Sequence, residues 1–397
     1  MNICAIIVSG GNMDFEDKIE ALGESAQYDL CNACGAATRM RDDLGRWIYP
    51  TPLPDGKLVR VLKVLMTNAC EKNCYYCATR ASRDIPRVSF QPDELALAFD
   101  RMHRAGLVDG LFLSSGICPG AERAMDRMIA CVEQIRIRYA FRGYIHLKIL
   151  PGASEAHIER AVQLAHRVSV NLEAPDAEHL AAIAPHKDFF HELMQPMQVV
   201  RCLIESSEGR WAPSGQTTQF VVGAAGESDQ EILSATVRLY HELKLKRAYF
   251  SAFQPIPGTP LDGLSPAPAW REHRLYQADW LLRFYGFTFS DLVFDAHGNL
   301  PRQADPKMMY ARAHPGLFPV EVNRASREEL LRVPGLGPKA VTLILRWRRQ
   351  GTLRELADLR KAGAVTDRAA SFVLLDGRRP LHQLSLWEER SSPLFPS

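Results

Sequence analysis

Thr67-Asn68-Ala69-Cys70-Glu71-Lys72-Asn73-Cys74-Tyr75-Tyr76-Cys77 is the stretch whose reading decides the fold. It follows directly on a Val- and Leu-rich segment, Val59 to Thr67, that reads as a strand. Three residues separate the first pair of cysteines and two the second. A loop with that spacing can wrap three thiolates around three corners of a cubane 4Fe-4S cluster. The fourth iron then has no protein ligand, and an open coordination position is where a metal site takes its substrate. The competing reading is a zinc site or three structural cysteines. Zinc wants a fourth Cys or His nearby, and none follows at ordinary spacing.

Outward from this loop, strand-like and helix-like segments alternate. Gly110 to Ser115, Gly143 to Leu150, Val168 to Leu172, Thr217 to Val222 and Arg247 to Phe253 read as strands. Met125 to Tyr139, Ser154 to Ala165 and Asp229 to Leu243 read as helices. Six strands in such an alternation predict an α/β fold with a parallel sheet, closed as a partial barrel. Period two places Ser169, Asn171 and Glu173 on the face opposite Val168, Val170 and Leu172, and Tyr144, His146 and Lys148 opposite Ile145, Leu147 and Ile149. In a barrel the apolar set packs on helices and the polar set points inward, as a reaction chamber requires. Upstream, Phe15 to Ser25 is helical in pattern, and residues 35–58 are polar and rich in turns. Residues 254–270 are a Pro- and Gly-rich connector. Residues 271–285 read as a helix with Leu275, Trp280, Leu281 and Phe284 available for burial.

The 397 residues carry a formal net charge of +2, so any nucleic-acid surface must be local. No apolar run reaches the length that a bilayer needs, and residues 1–12 read as a loose extension without a signal-peptide pattern. Nine cysteines in such a chain point to a reducing, cytoplasmic setting, where clustered cysteines bind metal more often than they form disulfides.

A second informative string is Val322-Asn323-Arg324-Ala325-Ser326-Arg327-Glu328-Glu329-Leu330-Leu331-Arg332-Val333-Pro334-Gly335-Leu336-Gly337-Pro338-Lys339-Ala340. One helix ends at Pro334-Gly335 and a second starts after Gly337, with Ala340, Ile344 and Leu345 on its packing side. Gly335 and Gly337 permit a tight hairpin. Free amides at the start of the second helix, aided by its dipole, can hold a phosphate. This is the pattern of a helix-hairpin-helix module. Lys339, Arg346, Arg348 and Arg349 would add phosphate contacts. Between residues 321 and 380 stand thirteen Lys or Arg and seven Asp or Glu, an excess that favours nucleic acid over a purely structural hairpin.

The chain resembles the radical SAM superfamily, and within it the DNA modification or repair proteins that carry a C-terminal helix-hairpin-helix. The resemblance runs from about residue 14 to 380 and rests on the cysteine loop, Gly110-Leu111-Phe112-Leu113-Ser114-Ser115-Gly116, Gly143-Tyr144-Ile145-His146-Leu147-Lys148, Ser169-Val170-Asn171-Leu172-Glu173 and Tyr276-Gln277-Ala278-Asp279-Trp280. It implies a partial (β/α)6 TIM-like barrel over residues 59–262 behind an N-terminal extension (1–58). A helical connector (263–315), a small all-α helix-hairpin-helix domain (316–380) and a disordered tail (381–397) would follow. It also implies S-adenosylmethionine on the open iron, cleaved by an electron from a donor such as flavodoxin or ferredoxin to give a 5′-deoxyadenosyl radical.

Carried over residue by residue, Tyr76 would neighbour the adenine. Ser114-Ser115-Gly116 stands where the superfamily often has Gly-Gly-Glu, so backbone carbonyls or Ser115 would meet the SAM amino group. Asn171 and Glu173 would reach the ribose or methionine, and Gly223, opening Gly223-Ala224-Ala225-Gly226-Glu227, would let backbone approach the adenine. Cys118, after the second strand, is a candidate thiol for returning a hydrogen atom to a product radical, against the plainer reading of a buried small hydrophobe. Cys31 and Cys34 could join an accessory metal site with Cys4 or a distant residue. Cys131 and Cys202 read as structural, and His146, Lys148, Tyr249 and Ser251 as candidate substrate contacts. DNA is the expected partner, held by the tail domain, and the reaction would resemble that of spore photoproduct lyase by analogy alone. The alternatives are an RNA- or protein-modifying radical SAM enzyme and a non-enzymatic DNA-binding iron–sulfur protein.

Overall fold

A computed structural model describes residues 15–26, 47–52 and 58–381. The expectations for residues 1–12, for Cys4, Cys31 and Cys34, and for the tail beyond Leu381 lie outside the described residues. The chain divides into two compact units, Met1–His273 and Arg274–Ser397.

The first unit is built on one seven-stranded sheet in sequence order: β1 (Ile48–Pro52), β2 (Leu58–Leu65), β3 (Gly110–Ser114), β4 (Tyr144–Lys148), β5 (Arg167–Ser169), β6 (Gln216–Val222) and β7 (Arg247–Ala252). β2 to β7 are parallel throughout, and β1 pairs antiparallel with β2. Parallel neighbours need crossover connections. These contain α1 (Phe15–Ala26, ahead of the sheet), α2 (Pro92–Arg104), α3 (Ala121–Glu133), α4 (Glu155–Leu164), α5 (Ala177–Ile183), α6 (Gln195–Ser206) and α7 (Asp229–Glu242). The expected helix Met125–Tyr139 is α3 continued by the wider-turned segment Gln134–Arg138.

One face of the sheet is apolar. Leu62, Val64, Leu111, Leu113, Ile145, Leu147, Val168, Phe220, Ala248 and Phe250 are fully buried. The other face is polar, and the strand registers align it in rows. Lys63, Phe112, His146 and Arg167 form one row across β2 to β5, and Lys148, Ser169, Thr217 and Arg247 the next across β4 to β7. Alternation along each strand thus sorts side chains between helix layer and interior.

Two expectations need correction. Residues 35–58 read as turns, yet Ile48–Pro52 forms a strand despite Pro50 and Pro52. An edge strand tolerates proline because one side of its ladder needs no donor. The strand expected over Val168–Leu172 is only Arg167–Ser169. Glu173 has φ +66°, and residues 170–173 follow β6 through Val170 N to Thr217 O, Leu172 N to Thr218 Oγ1 and an isolated bridge between Glu173 and Phe220.

At the open edge of the sheet, two outward amides of β7 are taken by side chains. Ala248 N donates to the Tyr240 hydroxyl at 3.1 Å, and Ala252 N to Glu272 Oε2 at 2.9 Å.

The second unit is helical, with a two-stranded parallel pair, β8 (Val320–Glu321) and β9 (Val373–Leu374). Its helices are α8 (Ala269–Phe284, which starts five residues earlier in the chain than the unit), α9 (Pro306–Ala313), α10 (Arg327–Arg332), α11 (Pro338–Trp347), α12 (Leu356–Lys361) and α13 (Thr366–Ala369). Leu330, Val333, Leu336, Val341, Ile344, Leu359 and Val373 form its core. Of the α8 residues expected to be buried, Leu275 and Leu281 are, but Trp280 and Phe284 are about half exposed. Instead they pack on each other, with the Arg283 guanidinium over both rings, so a polar head shields the aromatic pair. Among the described residues, no helix is long and apolar enough to cross a membrane.

Candidate functional site

The three cysteines sit on the loop leaving the C-terminal end of β2. Cys74 is buried, and Cys70 and Cys77 are partly so. What shapes this loop is a dense set of hydrogen bonds to its backbone. Thr67 Oγ1 donates to Val88 O and accepts from Ala69 N, so the chain turns immediately after the strand. Asn68 bridges in both directions, accepting from Val88 N at 2.7 Å and donating to Pro86 O at 3.0 Å. Asn73 Oδ1 gathers Arg80 Nε, Ser82 N and Ser82 Oγ within 3.2 Å.

The Arg87 guanidinium reaches into the loop and donates to four carbonyls, those of Asn68, Thr79, Arg80 and Arg83, at 2.7–2.8 Å. Gly116 lies so close that a Cβ there would stand 2.1 Å from Ala69 O, so only glycine lets the loop after β3 support the cysteine loop.

A second set of groups approaches from β5 and beyond. Lys187 Nζ stands 3.3 Å from the Tyr76 hydroxyl and 3.4 Å from Glu173 Oε1. Lys72 is fixed by Glu192 at 2.8 Å and by His186 O at 2.9 Å, and Tyr75 N donates to Ile183 O. The structure therefore brings Tyr76 and Glu173 together with the three cysteines, through a lysine that no motif singles out. Burial disfavours the Lys187 charge, but Cys74, Glu173 and Cys77 outweigh it and hold its pKa above the ordinary value. Burial likewise pushes the Cys77 thiol up to about 11 and raises Cys74, so it is the bound iron that would have to stabilise these thiolates.

The other expected residues line the same C-terminal edge. Ser114 ends β3, is buried and accepts Met66 N at its carbonyl. Ser115 Oγ donates to the Gly116 carbonyl at 2.7 Å, which commits that hydroxyl locally. Asn171 is buried just after β5. Gly223 follows β6 at φ +87°, where an added Cβ would strike Ala267 at 2.8 Å. The Glu227 carboxylate accepts from Gly223 N and Ala225 N, and Arg271 binds Asp229 Oδ1 and the Glu227 carbonyl, so this glycine turn is a braced cradle. Cys118 is 1% exposed and lies, like Cys70 and Cys77, within electrostatic range of Arg87. Cys131 is buried, whereas Cys202 is exposed.

The donor set fits a cubane cluster. Three free thiols lie on one loop whose backbone is fixed independently of any metal, with Arg87 and Lys187 supplying nearby positive charge for an anionic cluster. Among the described residues no three His, Cys, Asp or Glu side chains converge as a single-ion site. A cubane differs in needing each thiolate on a separate iron.

In the second unit, α10 and α11 are joined by Val333–Gly337. Gly335 has φ +82°, and its carbonyl accepts from Val365 N at 2.9 Å. A Cβ on Gly335 would lie 2.4 Å from the Val365 carbonyl. Buried Lys307 donates to Leu336 O and stands 4.7 Å from the Tyr285 ring centroid. Gly337 is the N-cap of α11, and no side chain caps that end. Lys339, Arg346 and Arg349 are exposed. Arg348, expected on phosphate, instead donates to the Val322 and Ala325 carbonyls and is committed to the unit's own structure. Gly335→Ala is expected to cost at least about 2 kcal/mol, combining the left-handed backbone with a backbone clash. It should lower the melting transition of the second unit in calorimetry, and an unchanged transition would contradict this account of the hairpin.

Residues 64–236 match the family model described as the radical SAM superfamily, so the cysteine loop and most of the half-barrel belong to a radical SAM domain. Domains of that superfamily use a 4Fe-4S cluster and S-adenosylmethionine. No curated protein matches it significantly. Among solved structures it is similar to the FeFe-hydrogenase maturase HydG from Carboxydothermus hydrogenoformans (16% identity, 54% of this chain and 50% of that one, TM-score 0.42). It is also similar to methylornithine synthase PylB (13%, 56% and 61%, 0.42). A third is the radical S-adenosylmethionine methyltransferase TsrM from Kitasatospora setae (15%, 79% and 52%, 0.38). The chain thus spans between half and about three fifths of the length of these structures.

Proposed function

We propose that the protein carries out reductive cleavage of S-adenosylmethionine and directs the resulting radical at a nucleic acid, DNA in the first instance, for repair or modification. Cys70, Cys74 and Cys77 would hold the cluster. When bound, the reduced cluster and SAM together supply a 5′-deoxyadenosyl radical able to abstract a hydrogen atom. Tyr76, held by Lys187, would line the adenine side. Glu173 and Asn171 would offer acceptors to the ribose or methionine, and Ser114 and Ser115 would present their backbone to the methionine amino group. The Gly223 turn, braced by Glu227 and Arg271, would let backbone approach the adenine. Cys118 is proposed as the hydrogen donor to the product radical. Its Ala variant should still cleave SAM while losing the reduced product.

The observation that supports the nucleic-acid part is the hairpin of the second unit. Its Gly335 turn is locked, the N-terminus of α11 lacks a side-chain cap, and Lys339 and Arg346 are exposed on the same helix. Amides and dipole at such a terminus suit a phosphate, and contacts of this kind give affinity without sequence preference. A base or sugar of duplex DNA would have to leave the stack to reach the barrel.

The test is binding of the reconstituted protein to single- and double-stranded DNA and to RNA, followed by fluorescence anisotropy across salt concentrations. Lys339→Glu should weaken DNA binding by roughly tenfold and flatten the salt dependence by about one unit of slope or more, since it removes one phosphate contact and adds a repulsive one. Added DNA should also raise the yield of 5′-deoxyadenosine. Tighter binding to RNA would move the reading to RNA modification. Absence of binding to either would remove nucleic acid from it.

A further inference from the structure

The interior floor of the half-barrel holds a charge with no carboxylate partner among the described residues. Arg167 opens β5 and is 8% exposed. Its guanidinium has two neighbours, the Ser214 carbonyl 3.4 Å from Nε and the Tyr144 ring, whose centroid lies 6.0 Å away. Other buried or partly buried cations around the barrel either meet a carboxylate, as Arg271 meets Asp229 and Lys187 meets Glu173, or spend their donors on several oxygens, as Arg87 does on four carbonyls. A buried charge left unpaired is costly, and proteins seldom keep one without an anionic partner, resident or visiting.

Beside it stands a second orphan. Tyr144, at the start of β4, is 5% exposed, and among the described residues its hydroxyl has no hydrogen-bond partner. Buried hydroxyls almost always have one. Burial pushes this phenol up to about 12, so it is a donor at any physiological pH. His146 lies between them in the row structure of the sheet, adjacent to Arg167 in register and two residues along the strand from Tyr144. It is bonded to Ser169 Oγ at 2.9 Å, and burial together with Arg167 holds its pKa well below the ordinary value. A neutral, committed histidine adds no competing charge there.

We infer that Arg167 and the Tyr144 hydroxyl form the binding site of an oxyanion, a carboxylate or phosphate group carried by the molecule that enters the barrel. An anion seated there would meet a planar fork of guanidinium donors and one phenolic donor, giving the Tyr144 hydroxyl a partner and the guanidinium a charge-assisted one. The site lies at the N-terminal ends of the strands, whereas the cysteine loop leaves their C-terminal ends. Tyr144 to Lys148 spans about 13 Å of strand. The charged end of the substrate therefore points away from the cluster and anchors the molecule while its other end meets the radical source. Such an anchor suits a small acid, or a nucleotide with a terminal phosphate. The phosphodiester backbone of an intact duplex could not reach it. The inference rests on the barrel as the reaction chamber and owes nothing to the hairpin of the second unit.

The test is calorimetric titration of the anaerobically reconstituted protein with inorganic phosphate and, separately, with acetate, at ionic strength held constant with chloride. Saturable binding of one or both to the wild type is expected. Arg167→Met should weaken it at least about tenfold, and Tyr144→Phe about three- to tenfold. Arg101→Gln, which removes an exposed cation of α2, should leave it unchanged. Phosphate alone would point to a phosphorylated substrate and acetate alone to a carboxylic acid. Failure of the wild type to saturate with either would overturn the inference. So would undiminished binding in Arg167→Met, or a loss in Arg101→Gln instead. Should Arg167→Met not fold, Tyr144→Phe decides, because it removes one unpartnered oxygen and keeps the ring. Loss of DNA binding with the anion site intact would sink the nucleic-acid reading alone.

Discussion

Replacing Cys74 by Ala is expected to abolish 5′-deoxyadenosine formation from S-adenosylmethionine, a fall of at least about 10³-fold, or roughly 4 kcal/mol in barrier terms. The reason is positional as well as chemical. Cys74 is the most buried of the three thiols, at 7% exposure, and the amide of Cys77 is bonded to its carbonyl at 3.3 Å, so it stands at the centre of the turn that presents all three. Two thiolates cannot hold three corners of a cubane. The measurement is anaerobic: reconstitute with iron and sulfide, reduce, add SAM, and quantify 5′-deoxyadenosine alongside iron content. The variant should lose iron and product together, with its melting transition little changed, because Ala fits the space of the thiol. A variant that keeps cleavage would remove Cys74 from the ligand set. A wild type that holds its cluster and binds SAM but never cleaves it, with or without DNA, would bring forward a non-enzymatic iron–sulfur protein.

The second large effect is expected at Arg87, a residue with no motif around it. One guanidinium supplies donors to four loop carbonyls, and Arg87→Met would leave all four to find water in a partly buried turn. At about 1 kcal/mol for each such bond, the loop should lose on the order of 2–4 kcal/mol, enough to let it sample open forms. Iron per protein should fall by half or more after gel filtration, and SAM cleavage with it, although every cysteine is present. Arg87→Lys should recover only part, because an ammonium has three donors and no planar fork. Full iron retention in Arg87→Met would mean that the cluster organises the loop unaided.

What could be read from the chain before its structure was the repeating layout and the thiol spacing, because both are local. Alternation of apolar and polar residues in Tyr144–Lys148 and Arg247–Ala252 reports sheet faces directly. The readings that failed had causes outside the local pattern. Pro50 and Pro52 argue against a strand unless the strand is known to be an edge, and edges are a property of the whole sheet. β5 stops at Ser169 and Glu173 takes a positive φ, neither of which anything in Ser169–Glu173 signals. Trp280 and Phe284 look like core by hydrophobicity, but they shield each other with Arg283 on the surface. Arg87, Lys187 and Glu227 organise the site through partners that include the Asn68 carbonyl, Tyr76 and Arg271, respectively 19, 111 and 44 positions away. Such pairings appear only once the strands have set the C-terminal loops side by side.

The half-barrel has two free borders where a closed barrel has none, and borders of parallel sheets are where chains recruit one another into fibrils. Here β1 runs backwards along one border with two prolines in its five residues, which spoils the donor row for any newcomer. On the other border, the Tyr240 phenol and the Glu272 carboxylate occupy amides that an incoming strand would need. The sheet can therefore leave its ring unclosed without becoming a template for its own copies. On the proposed nucleic-acid reading, the same gap would admit a substrate too bulky to be enclosed, and the colloidal safety of its borders would matter as much as the opening.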